Sequence, residues 1–231
     1  MIKKIAVSYS GKDSTLALHK LLKEQSDQYE VATLLATITK EYGRTSMHGV
    51  REELLDAQAE SLGLPLHKVY MPKDCTCEEY SKLMEETCLK LKEQGITAVA
   101  FGDTQLADVK AHREKMLAKV GMEGIFPIWG MGSTKVVEEI ISLGYKAAIV
   151  CLDMSKLDES FAGRVLDEGF LQSLPSDVDP CGENGEYHTF VFDGPLFKHP
   201  IAYELGEKKI VDDTKTGKPR FCFIDIVQIR N

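Results

Sequence analysis

The sequence predicts an α/β fold: a doubly wound parallel sheet followed by a smaller C-terminal α+β subdomain. Three observations predict it. Short apolar runs alternate with amphipathic helical patterns through the first two-thirds of the chain, which calls for crossover connections and parallel strands covered on both faces. After about residue 153 this alternation gives way to loop-rich sequence with short helical pieces. Residues 189–229 then alternate, as in Phe221, Phe223, Asp225, Val227 and Ile229, the pattern of antiparallel strands. The expected division is therefore a first domain over 1–153 and a smaller subdomain over 154–231.

The elements follow in order. Ile2–Val7 reads as the first strand, and Asp13–Glu24 as a helix with Leu18, Leu21 and Leu22 on one face. Val31–Ile38 is a second buried strand, and 40–48 a polar loop. Val50, Leu54, Ala57 and Ser61 mark a second helix, stopped by Gly63 and Pro65. Leu66–Met71 is a third strand. Thr76 and Glu79 form a capping-box pattern opening a third helix, which Gly95 ends. Thr97–Phe101 is a fourth strand, leading into a helix over 104–120 with Thr104 as its cap. A short strand at 124–128, a helix over Lys135–Leu143 and a last buried strand, Lys146–Leu152, complete the series. Ligands in such sheets bind at the carboxyl ends of the strands, so the loops 8–14, 37–48, 102–108 and 128–134 should share one edge.

The first of those loops is the most informative. Ser8-Tyr9-Ser10-Gly11-Lys12-Asp13-Ser14 joins a strand to a helix. A helix N-terminus carries about half a positive charge, and backbone N–H groups converging there make an anion site, most often for phosphate. An ordinary strand-to-helix turn also favours Ser, Gly and Asp. Lys12 supplies an ammonium for phosphate oxygens, Ser10 and Ser14 supply hydroxyls, and Gly11 lets the backbone approach closely. Asp13 beside a phosphate would be repelled unless a cation such as Mg²⁺ intervened; the other reading is an Asp in the first helical turn, favoured by the helix dipole. The loop is neither a Walker loop, since Asp13 follows Lys12 and Ala6 stands where the first Gly belongs, nor a dinucleotide fingerprint.

Further candidates lie along the chain. Gly102-Asp103 ends the fourth strand, where a carboxylate can meet metal or substrate or cap the following helix. Asp108, His112 and Arg113 read as helix-face residues. Cys181-Gly182-Glu183-Asn184-Gly185-Glu186-Tyr187-His188-Thr189 packs two acids, two glycines, Tyr and His into one turn, a set suited to substrate or general-base contacts. His48 precedes the second helix, and Trp129 reads as a packing residue.

Composition narrows the function classes. The net charge of −8 counts against bulk nucleic-acid binding, which shows a basic stripe. The six cysteines lack a C-x-x-C pair and are expected to be reduced thiols of a cytoplasmic protein. No apolar run reaches the length of a membrane span, and no signal peptide precedes the first strand.

Together these residues resemble the N-type ATP pyrophosphatase, or PP-loop, superfamily, and within it the diphthine–ammonia ligase family with its bacterial relatives. The resemblance rests on Ser10-Gly11-Lys12-Asp13-Ser14, Phe101-Gly102-Asp103, Phe126-Pro127-Ile128-Trp129-Gly130 and Gly182–Thr189, in that order over most of the chain. Tyr9-Ser10-Gly11 stands where Ser-Gly-Gly is usual, which leaves the backbone nest intact. The resemblance implies an adenine-nucleotide α-hydrolase-like (HUP-type) fold and a ligase that adenylates a carboxylate, releases pyrophosphate and transfers ammonia. It further implies ATP on Ser8, Ser10, Gly11, Lys12, Asp13, Ser14, Ala36, Thr37 and Gly102, with loop 36–39 against adenine and Mg²⁺ on Asp13 and Asp103. Lys12, Asp103, Glu183 and Glu186 would be catalytic, and His48, Gly185, Tyr187 and His188 would contact substrate. The acceptor is diphthine on elongation factor 2 or another carboxylate. A tRNA-thiolating relative and a non-catalytic ATP or AMP module are the rival readings, and a homodimer is left open.

Overall fold

The computed structural model describes residues 2–213 and 216–229. In chain order the elements are β1 (Lys3–Ser8), α1 (Lys12–Lys23), β2 (Tyr29–Thr39), β3 (Arg44–Thr45), α2 (Glu52–Leu62), β4 (Leu66–Met71), α3 (Cys77–Glu93), β5 (Ala98–Ala100), α4 (Ala107–Lys119), β6 (Glu123–Ile125), α5 (Ser133–Ser142), β7 (Lys146–Asp153), α6 (Glu168–Ser173), β8 (Tyr187–Asp193), β9 (Tyr203–Asp212) and β10 (Pro219–Gln228). They form two compact units, Met1–Gly43 with Gly63–Gly132, and Arg44–Leu62 with Ser133–Asn231. The units interleave: α2 and β7 both go with the second.

The first unit holds parallel strands in the order β4-β2-β1-β5-β6. Counted within the unit this is 3-2-1-4-5, so the winding reverses between β1 and β5, and the crevice at their carboxyl ends is the place such sheets keep for ligands. Ile5, Ala6, Val7, Ala98, Val99 and Ala100 are completely buried, as strands covered on both faces must be. The capping box of α3 forms as the sequence predicts: Glu79 N donates to Thr76 Oγ1 at 3.2 Å, and Thr76 N to Glu79 Oε2 at 2.8 Å. Met84, Cys88 and Leu91 of α3 pack with Val99, Phe101, Met116 and Leu117 in one core.

The start of α4 departs from expectation. Its N-cap is Leu106, without a side-chain cap, and Thr104 does not serve. Thr104 is instead fully buried, and its carbonyl accepts from Gly130 N at 2.8 Å. That bond ties loop 102–108 to loop 128–134.

The second unit is built on an antiparallel sheet, β8-β7-β10-β9. Here β7, which ends the alternating run in sequence, pairs antiparallel with β8 (Leu152 opposite Tyr187) and with β10 (Cys151 opposite Phe223). Seven of its eight residues are buried, and a continuous apolar run reads the same in the centre of either kind of sheet. On α2, Gln58 is completely buried and donates from Nε2 to Val191 O at 2.6 Å, while Ser61 Oγ donates to His199 O at 2.6 Å. Val50 and Leu54 join Ala148, Val150, Phe190 and Ile226 in the unit's core. Among the described residues no helix is long and apolar enough to cross a membrane.

Candidate functional site

In the first unit the loop after β1 closes on a hydroxyl. Ser14 Oγ accepts from Ser10 N at 2.9 Å and Gly11 N at 3.2 Å, and donates to Gly11 O at 2.8 Å. This folds the loop tightly over the first turn of α1. Lys12 is only 3% exposed, and its Nζ lies 2.9 Å from Asp13 Oδ2. A buried ammonium beside a helix N-terminus concentrates positive charge where water screens it poorly. Below the loop, Thr15 Oγ1 bonds the Tyr9 hydroxyl at 3.2 Å, and burial pushes the Tyr9 phenol far above its ordinary range, so it stays neutral.

The exit of β5 lies directly against this loop. A Cβ placed on Gly102 would stand 2.6 Å from Asp13 C and from Ser14 N, so only glycine lets the two backbones approach this closely. The next residue, Asp103, is held by a guanidinium fork: Arg113 Nη2 donates to Oδ1 at 3.1 Å, and Arg113 Nε lies 2.6 Å from Oδ2. Arg113 in turn lies over the Phe101 ring at 4.3 Å. Asp103, expected as a metal or substrate contact, thus already faces a fixed cation, and Arg113, expected as a plain helix-face residue, is the partner. Asp108 and His112 are exposed on α4. Ala36 and Thr37 do not form a loop. They are the carboxyl end of β2, opposite Lys68 and Val69 of β4, because β2 runs on to Thr39. Ser8 ends β1 opposite Leu35. Trp129 meets Phe126 edge-on, and Lys110 Nζ lies 4.5 Å from its ring centroid.

In the second unit the acidic turn is organised by two carboxylates. Glu186, 3% exposed, accepts from Asp179 N at 3.2 Å and Asn184 Nδ2 at 3.0 Å through Oε1, and from Asn184 N at 2.9 Å through Oε2. Asp179 Oδ1 accepts from Cys181 N at 2.9 Å and Glu183 N at 3.2 Å. Gly182 and Gly185 both take left-handed backbone (φ +65 and +85), which the turn requires. The Tyr187 hydroxyl, buried, donates to Pro180 O at 2.5 Å. Glu186 therefore folds the turn, whereas Glu183 is half-exposed. His188 emerges beside His48, ring centroids 4.6 Å apart.

Two ion-pair clusters of this unit carry no local sequence signal. Asp225 on β10 receives Arg44 Nη1 at 2.7 Å, Arg51 Nε at 3.0 Å and Arg51 Nη2 at 2.6 Å. The two guanidinium groups hold its carboxyl far below the usual carboxylate range. Arg220 likewise bridges Asp153 at 2.9 Å and Asp213 at 2.5 Å. All six cysteines are free thiols, and no group of three or more His, Cys, Asp or Glu among the described residues is arranged to hold a metal by itself.

A parallel sheet wound 3-2-1-4-5, whose first strand leaves through a Ser-Gly-Lys-Asp-Ser loop at the switch point, is the PP-loop kind of α/β nucleotide fold. The diphthamide synthase N-terminal domain matches residues 2–124, and the diphthamide synthase C-terminal domain matches 132–219. The chain belongs to this family. It is similar to the diphthine–ammonia ligases of Bos taurus and Homo sapiens, each 28% identical over 176 residues, covering 68% of this chain and 65% of the relative. The one from Schizosaccharomyces pombe is 23% identical over 91% of this chain and 37% of its own length. The chain thus spans just under two-thirds of the length of the mammalian relatives. A U34-tRNA thiolase from Methanococcus maripaludis aligns over 62% of this chain and 57% of its own at 19% identity, with a TM-score of 0.39.

Proposed function

We propose that the chain is an ATP-dependent ligase that adenylates a carboxylate, releases pyrophosphate and passes ammonia to the activated acyl group. The observation that carries the reading is the approach of Gly102 to the Asp13–Ser14 backbone, which joins the β1 loop and the Asp103 loop into one anion-attracting edge. Membership of a family with diphthine–ammonia ligases supports the amide-forming step.

The residues fit a nucleotide triphosphate. The N-terminal end of α1 and the Lys12 ammonium would hold the β- and γ-phosphates and stabilise charge on the departing pyrophosphate. Ser8 and Ser10 offer hydroxyls, and Ala36 and Thr37, one strand over, offer an edge for adenine. Mg²⁺, when bound, neutralises phosphate charge, a task it performs with one or two carboxylates plus the phosphates themselves. Asp13 fits that role only if Lys12 releases Oδ2, and Asp103 only if Arg113 yields an oxygen. Holding the carboxylate in line with the α-phosphorus would supply much of the remaining acceleration. Diphthine, named in the relatives, is the first acceptor to try, with other carboxylates behind it.

Product analysis tests this. Incubation with ATP, Mg²⁺, ¹⁵N-ammonium and candidate acceptors should give AMP and pyrophosphate by ³¹P NMR, and an acceptor carrying one ¹⁵N amide by mass spectrometry. ADP and phosphate as products would exclude the chemistry.

A further inference from the structure

We infer that Arg113 is a phosphate-binding residue that Asp103 holds in reserve. Its guanidinium neutralises Asp103 in the nucleotide-free protein and passes to the phosphates when Asp103 turns to the cation that accompanies ATP; this rests on the nucleotide reading above. Every residue involved belongs to the first unit. Asp103 follows Gly102, whose backbone packs against that of Asp13 and Ser14, so its carboxylate starts from the same edge as the β1 loop. Arg113 stands on the second turn of α4. The pair is close but incompletely bonded. Arg113 Nη2 donates to Asp103 Oδ1 at 3.1 Å. Nε and Oδ2 lie 2.6 Å apart, yet both atoms are buried and neither has a hydrogen-bond partner among the described residues. Their contact is too bent to be a bond, and hydrogen bonds weaken steeply with such misalignment. An Arg–carboxylate fork owes its strength to two parallel bonds, and here only one is made. Oδ2 is thus a buried carboxylate oxygen with no proton in line, an arrangement that a cation completes.

The Asp225 cluster shows what a permanent clamp looks like in the same protein. Arg51 gives Asp225 two aligned bonds, at 3.0 and 2.6 Å, and Arg44 adds a third at 2.7 Å. Asp103 has one bond and one misaligned contact. The Arg113 guanidinium also has support beyond Asp103. It lies 4.3 Å from the centroid of Phe101, a buried ring stacked on Phe126 with centroids 5.6 Å apart. A flat aromatic face attracts a guanidinium across its whole surface, so the side chain can leave Asp103 without losing that contact. Charge sets the order of events. A bare carboxylate at this edge would repel a polyphosphate, whereas one neutralised by Arg113 does not. Once the carboxylate binds the incoming cation, the guanidinium is left uncompensated beside the phosphates. Its planar fork matches phosphate oxygens two at a time.

The test is ATP affinity by calorimetry, measured with Mg²⁺ and again with a chelator. Asp103→Asn removes the charge that holds Arg113. It should tighten ATP binding in chelator by about tenfold and weaken binding in Mg²⁺. Arg113→Gln should weaken binding in Mg²⁺ by about 10–100-fold, and in the double variant the gain in chelator should vanish. Arg113→Lys keeps the charge and should recover part of the affinity that Arg113→Gln loses. A pair that only braces the loop gives a different pattern: Asp103→Asn leaves affinity in chelator unchanged or lowers it, and affinity follows melting temperature across the Gln and Lys variants. Either result would overturn the proposal. Wild-type protein that binds no ATP, with or without Mg²⁺, would overturn the nucleotide reading itself, and this inference with it.

Discussion

The loop at 8–14 and the turn at 179–189 are both short and polar, and their electrostatics differ. In the first, a hydroxyl closes the loop, and a buried ammonium and a helix N-terminus stand together. In the second, Asp179 and Glu186 occupy five N–H donors between them, so the turn carries its own anions. Both loops use N–H donors on their own side chains, the first on the neutral Ser14 hydroxyl and the second on the carboxylates of Asp179 and Glu186. Residue type alone does not show this difference; the charge of the group that accepts the N–H bonds, a neutral hydroxyl in one loop and carboxylates in the other, does.

Four substitutions sharpen or break this contrast. Lys12→Gln should lower pyrophosphate exchange by about 10²–10³-fold with little change in urea midpoint, and a loss no greater than that of Lys23→Gln would remove Lys12 from the site. Gly102→Ala forces a methyl into the Asp13–Ser14 backbone and should cost about 1–3 kcal/mol in stability together with most ATP affinity, read by calorimetry. Unchanged affinity would mean that the two loops do not act together. Glu186→Gln should behave in the opposite way to Lys12→Gln: stability falls by about 1–3 kcal/mol as charge-assisted bonds weaken, while ATP affinity is kept. Preserved stability with lost turnover would give Glu186 the catalytic role the sequence suggests.

The smallest effect is expected at Asp225. Its carboxyl titrates well below the ordinary value because Arg51 and Arg44 hydrogen-bond it. A depressed folded-state pKa contributes stability that is complete above the unfolded pKa, near about 4, and is lost as pH falls from there toward the folded value. Asp225→Asn should therefore cost about 1–2 kcal/mol at pH 7, reduced by the partial exposure of Arg51, and flatten the acid limb of a stability–pH curve below pH 4. An acid limb identical to wild type would mean that the fork contributes nothing.

These contrasts mark what the sequence could disclose. The β1 loop, the α3 capping box and the Gly102-Asp103 exit were legible because strand, cap and turn chemistry act within a few residues. The direction in which β7 pairs was not, since a run of buried apolar residues carries no record of its neighbours. Nor was the clamp of Arg44 and Arg51 on Asp225, an ion pair across most of the chain, or the pairing of Asp103 with Arg113. Thr104 read as a cap because its type suits one; burial and the bond to Gly130 decided otherwise. Glu183 and Glu186 look alike in the sequence, and burial tells them apart: Glu186 is buried and Glu183 half-exposed.

The most direct measurement is pyrophosphate–ATP isotope exchange by the purified protein with Mg²⁺, over a panel of carboxylates that includes elongation factor 2 carrying diphthine. Exchange that depends on one acceptor and disappears in Lys12→Gln is the result expected. ATP that binds yet never exchanges its pyrophosphate with any acceptor, in wild type or variant alike, would contradict the assignment of the β1 loop to adenylation.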